Sequence, residues 1–218
     1  MFELDDEGIL GYISIRIDDF FLDFKSVSVS EMAPIKRIAG PSYNIQLMIS
    51  APPDFPPSKA VGEYTFFLDR EAIERKLAQN QYQVIYEGAA HDRSSFYLWA
   101  CSCVAFFQLM QFGAGMVCVD YADFCTALSC CRGSVLRFEK LMYDQHDQVP
   151  YHKHSGPPYR VIYGCLDGGM DLSLGHYLEL SSTLEESNPA LEIIKLASKY
   201  TQSSAYSVML LGEAVHSS

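Results

Sequence analysis

Apolar and polar residues alternate from Ile9 to Ile17 and again from Phe20 to Val29, and both runs are rich in β-branched side chains. This period of two predicts a pair of strands, joined as a hairpin that turns at Asp18-Asp19. The pattern predicts further strands at Tyr43 to Ser50, Val61 to Leu68, Tyr82 to Tyr86, Arg160 to Leu166 and Tyr206 to Leu211. A helix is predicted from Arg70 to about Gln79, where Ile73 and Leu77 share a face. Asp69 is its expected cap, and Glu71 and Glu74 favour its positive end. Ser94 to Phe112, Asp123 to Ser129 and Leu172 to Glu186 are the other predicted helices. A strand, a helix and a strand followed by a long helix predict α/β architecture in the middle of the chain.

From Ser94 to Val119 there is no charged side chain. The apolar part, Phe96 to Phe112, is only about long enough to cross a bilayer. Ser102, Gln108 and Gln111 interrupt it, Gly113 and Gly115 follow it, and Arg93 and Asp120 flank it without a basic cluster. A helix buried on all sides accounts for this better than a membrane span. Ala51 to Ser58 reads APPDFPPS, and its four prolines cannot join a ladder or a helix interior. The segment predicts a rigid exposed connection and a boundary; a recognition peptide for an aromatic groove is the sharper alternative.

With 218 residues the chain can form one generous domain or two small ones around a real core. Apolar residues make up 49% and charged residues 20%, which excludes global disorder. A formal charge of −11 argues against a nucleic-acid or anionic-membrane partner. The seven cysteines are an odd number and sit mostly among apolar neighbours, and Met1 to Glu7 is acidic, unlike a secretory leader. Reduced thiols in a cytoplasmic protein are the expectation.

Candidate chemistry concentrates in Gly115 to Phe124, GMVCVDYADF, where Asp120 and Asp123 stand three positions apart. Two acids on one short turn can orient a water or bind a cation. They can equally be exposed loop acids, one of them capping the helix that follows. Asp144, His146, Asp147, His152 and His154 carry ligand types suited to zinc or another transition metal, in spacings that match no closed structural pattern. There is no G-x-S-x-G elbow and no G-x-x-x-x-G-K-[ST] loop.

The run at Gly115 resembles the loop of FtsZ and its tubulin-like relatives that reads G-x-x-N-x-D-x-A-D, with Cys118 in place of the asparagine. Ser94 to Phe112 then resembles the family's central helix, which delivers that loop. Gly133-Ser134-Val135-Leu136 is similar to the family's G-S-A-L stretch. Cys165 to Leu174, CLDGGMDLSL, is similar to its strand-to-helix turn, in which Gly168 and Gly169 would allow a positive-φ turn and Asp171 would cap the next helix. Tyr206 to Val215 resembles the last strand. Together these segments cover roughly Ser94 to Val215.

The resemblance implies an α/β (α+β) fold: a C-terminal domain with a mixed sheet behind a long central helix, and a reduced N-terminal part. The expected division is 1–58, a β-rich segment; 59–112, a reduced α/β segment with the central helix; and 113–218, the FtsZ C-terminal-like domain. In the family the acidic loop reaches under the next subunit and completes its GTPase site. The glycine-rich G-G-G-T-G-T-G form, whose amides cradle phosphates, has no counterpart in Met1 to Arg93. The expectation is therefore a protein with no cofactor and no catalysis of its own, which could lend its acids to a partner GTPase. Its partner would be an FtsZ or tubulin-like filament subunit, or a second copy. Gly115, Cys118, Asp120 and Asp123 would carry the contact, and Gly168, Gly169 and Asp171 would shape the domain. The alternatives are a small α/β metal-dependent hydrolase using the histidine loop, and an interaction module that shares only the architecture.

Overall fold

The computed structural model describes residues 13–21, 25–29, 43–56, 59–88, 92–143, 156–202 and 205–215. Five strands come first: β1 (Ile15–Asp19), β2 (Lys25–Val29), β3 (Tyr43–Ile49), β4 (Gly62–Asp69) and β5 (Gln81–Ile85). Two helices follow, α1 (Arg93–Phe112) and α2 (Tyr121–Ser129). The chain continues with β6 (Val135–Tyr143), β7 (Tyr159–Gly168), α3 (Leu174–Ser187), β8 (Ile193–Tyr200) and β9 (Tyr206–Ala214). Among the described residues, the nine strands form one sheet in the order β2-β1-β3-β4-β5-β6-β9-β7-β8. β1, β3, β4 and β5 run parallel, whereas β9 is antiparallel to both β6 and β7. The fold is an α/β mixed sheet. β3 and β4 are hydrogen-bonded parallel neighbours within it.

Alternation decides which face each strand turns to α1. Ile45, Leu47 and Ile49 of β3, with Phe66 and Leu68 of β4, pack on Phe96, Ala100, Cys103, Phe106, Phe107 and Met110 of the helix. The intervening positions form the second face, where Gln46 Nε2 donates to Asp18 Oδ2 at 2.6 Å and Gln83 Nε2 to Asp69 Oδ2 at 2.7 Å. The same central cluster takes in Phe124 of α2 and Val161, Tyr163 and Met209 of the second half. On its other side the second half packs α3, through Leu180 and Leu184, against Ile162, Leu196 and Val208.

The structure corrects several sequence expectations. Residues 70–79 form no helix. Asp69 is fully buried and takes Arg75 bidentately, at 2.8 and 2.7 Å, so it caps nothing. Arg75 also donates to the carbonyls of Ala51 and Pro52, which draws 70–80 across the second face in place of a crossover helix. β1 and β2 do pair antiparallel, yet Asp18 and Asp19 lie within the ladder, opposite Ser26 and Lys25. β6 and β8 were not expected as strands. Their burial does not alternate simply, because β6 faces solvent at several positions and β8 is covered on both sides only in its second half.

The expectation of a helix buried on all sides fails for α1, which is buried along one stripe only: Leu98 is 68% exposed and Phe112 43%. Among the described residues α1 is the one helix long and apolar enough to cross a membrane.

Candidate functional site

α1 runs against the parallel strands. It begins near their carboxyl ends and, over about 30 Å for 20 residues, delivers the chain to their amino ends. There the backbone turns at Gly113, whose N–H donates to Leu109 O and whose carbonyl accepts from Lys199 Nζ at 2.9 Å. A buried ammonium beside the last carbonyls of a helix opposes its negative end.

The loop then lies along β8. Tyr200 N–H donates to Ala114 O and Ser198 N–H to Val117 O, and Val117 N–H returns a bond to Ser198 Oγ. Gly115 is required by this close approach, since a Cβ there would stand 1.7 Å from Ser198 O. Cys118 is exposed, its thiol 3.8 Å from Gly115 O.

The two acids form a reciprocal cap on α2. Asp120 Oδ1 accepts from Asp123 N–H at 2.9 Å, while Asp123 Oδ2 accepts from Asp120 N–H at 3.3 Å. This is the capping-box arrangement, with aspartate in both positions. The other oxygen of Asp123 accepts from Lys195 Nζ at 2.7 Å. That bond, helped by the Asp120 N–H and the Lys195 charge, holds the Asp123 carboxyl below its ordinary value against the cost of burial. Asp120 is exposed.

Tyr121, between them, donates to Glu63 Oε2 at 2.9 Å, and the same oxygen accepts from Asn44 Nδ2 at 3.2 Å. Burial and the Glu63 bond push the Tyr121 phenol well up. Its ring meets Tyr64 edge-on, which ties the first turn of α2 to the amino ends of β3 and β4.

Gly168, Gly169 and Asp171 sit at the carboxyl end of β7, one strand away: Gly168 pairs with Tyr200, whose N–H reaches Ala114 O. The strand-to-helix turn forms without positive φ at any described glycine. Gly168 is needed instead because a Cβ would stand 2.4 Å from the Tyr206 ring. Ser173 and His176 form the cap of α3; Asp171 does not, and bonds to Tyr206. His146, His152 and His154 lie outside the described residues. No group of three or more potential metal ligands occurs among the described residues.

Sequence reasoning missed Lys195, Ser198 and Lys199, which hold the loop from β8. The available signal was the spacing of the two lysines, four apart and hence on one face of a strand.

At the other end of the molecule, a cleft of about 280 Å³ opens beside the carboxyl ends of β1, β3 and β4, lined by Phe20, Phe21, Ala51, Pro52, Arg70 and Arg93. The described residues of the loops that leave these three strands contain no glycine, and Pro52 and Pro53 supply no N–H.

No family model matches the sequence, and no curated protein matches it. Solved structures of FtsZ do match the fold. An empty FtsZ dimer from M. jannaschii aligns with a TM-score of 0.58 at 12% identity, over 81% of this chain and 65% of that one. A tryptophan-to-tyrosine FtsZ mutant from M. jannaschii gives 0.47 at 14% identity, over 62% of this chain and 47% of that one. The chain thus spans between about half and two thirds of the length of these structures. The mixed sheet, the helix along it and the loop delivered at its far end make up an FtsZ/tubulin-like fold.

Proposed function

We propose that this chain is a cytoplasmic filament-binding protein that docks its acidic tip on the exposed end of an FtsZ or tubulin-like subunit and caps or modulates the polymer, in cell division or a related cytoskeleton. The observation that carries the reading is the exposed Asp120, presented at the amino ends of the parallel strands by a braced loop. Asp123 is tied to Lys195, so the contact narrows to Asp120 with Cys118 beside it. At the carboxyl ends, where an FtsZ-like chain of this resemblance would cradle phosphates, the described residues of the loops that leave β1, β3 and β4 include Pro52 and Pro53 and no glycine. A chain able to give the acidic contact and unable to offer the nucleotide end would add to a filament in one direction only. It would contribute the Asp120 carboxylate to a partner's GTPase site and bind no GTP in its own.

Sedimentation of a GTPase-active FtsZ with stoichiometric amounts of this protein tests the proposal. The expected result is a fall in pelleted polymer or a change in GTP turnover, abolished by Asp120→Ser, which keeps a capping oxygen and removes the charge. Unchanged polymer and turnover would reject it.

A further inference from the structure

Acidic side chains outnumber lysine and arginine by 27 to 16, so an arginine here seldom lacks a carboxylate. Arg16, Arg75, Arg132, Arg137 and Arg160 are each bonded to one, on Asp18, Asp69, Glu192, Glu87 and Glu213 respectively. Arg70 and Arg93 are the described arginines that hold none, and both line the cleft beside the carboxyl ends of β1, β3 and β4.

Arg70 Nε is buried without an acceptor among the described residues. A buried donor left unpaired is costly, and a bound anion would satisfy it. No bond to a described residue holds this guanidinium, so its planar fork can turn to meet a ligand without breaking anything. Arg93 is the first residue of α1, whose first turn carries no acid. A cation at the positive end of a helix opposes the dipole, which favours recruitment of a negative charge. The Arg93 guanidinium lies 4.8 Å over the Phe21 ring, so the aromatic wall and the cation adjoin. Ser50, where β3 opens onto the cleft, has a φ of 54°. Such backbone strain in a residue other than glycine gathers at sites shaped for a ligand.

The remaining lining selects the ligand. Asp69 and Glu71 also face the cleft, but both Asp69 oxygens are taken up by Arg75 and Gln83. Glu71 therefore stands against two guanidiniums, and the excess suits a single negative charge. A nucleoside triphosphate or another polyanion would be repelled by the two acids. Pro52 and Pro53 have no N–H with which to cradle a phosphate. Phe20, Phe21 and Ile73 supply an apolar wall, and about 280 Å³ is at the small end for a ligand pocket.

We propose that this cleft binds a small organic monocarboxylate, its carboxylate held by Arg70 and Arg93 and its apolar body laid against Phe20 and Phe21. The site lies at the opposite end of the molecule from the acidic tip and stands or falls independently of the filament reading.

Isothermal titration calorimetry on the full chain, with phenylacetate, acetate, inorganic phosphate and GTP as probes, tests the proposal. Phenylacetate should bind about tenfold or more tightly than acetate, because only its ring reaches the apolar wall. Phosphate and GTP should bind more weakly than phenylacetate. Arg70→Gln and Arg93→Gln should each weaken phenylacetate by about tenfold or more. Arg93 is exposed, so its substitution decides the matter should Arg70→Gln fail to fold. Asp120→Ser should leave the affinity unchanged, which separates this site from the filament contact. A chain that binds no phenylacetate overturns the proposal. So does equal affinity for acetate, a preference for phosphate or GTP, or an affinity indifferent to either arginine substitution in a folded variant.

Discussion

Asp120 and Asp123 stand three apart because a helix cap and its reciprocal partner need that spacing. The capping role and the partner contact can be separated by substitution. Asp120→Ala should destabilise α2 by about 1 kcal/mol, whereas Asp120→Ser should leave stability nearly unchanged; urea unfolding reads the difference.

Asp123 and Asp167 should respond to pH with opposite signs. The folded-state pKa of Asp123 is lowered, so its ionised form supports the fold. That support is present above the ordinary aspartate value of about 3.9 and is lost as pH falls through the lowered value. Lys195→Met should flatten this acid limb in a denaturation series. Asp167 is buried beside Ser207, and burial raises its pKa. Its contribution is complete below the unfolded value and is lost as pH rises through the raised one. Asp167→Asn should therefore raise Tm at neutral pH and have little effect in acid.

The acids were legible in the sequence because their spacing encodes a local structure. Lys195 and Lys199 were not, since their partners lie 72 and 86 residues away and a strand pairing decides the meeting.

Among elements, the long helix was the most readable and the crossovers the least. Phe96, Ala100, Cys103, Phe107 and Met110 repeat at helical spacing, and tertiary packing only selects which side is covered. Ile73 and Leu77 repeat in the same way, but Arg75 between them has a fully buried carboxylate within reach, and that pair overrides local propensity. Phe107→Ala, at the centre of the ring cluster with Phe66 and Phe124, should cost about 3–5 kcal/mol. At the end of the helix, Gly115→Ala should lift the loop off β8 while leaving the sheet intact. Hydrogen exchange would show faster turnover at the Ser198 and Tyr200 amides, with the Val208 amide protected as before.

For the whole molecule, the likeness to FtsZ was legible in the second half, where short segments keep their order, and was invisible in the first, where strands pair mostly with their sequence neighbours but no segment carries a family motif. The sheet that unites the halves is narrow at one place. β5 and β6 pair at only two positions, Gln83↔Val135 and Val84↔Leu136, while Phe66, Phe106, Phe107, Phe138 and Tyr163 pack across the join. Grease more than backbone bonding closes that seam, and such attraction fades in the cold. Chilling should therefore loosen the molecule first along this line, with Trp99, which meets Phe138 edge-on, reporting the change in its fluorescence before the outer strands let go.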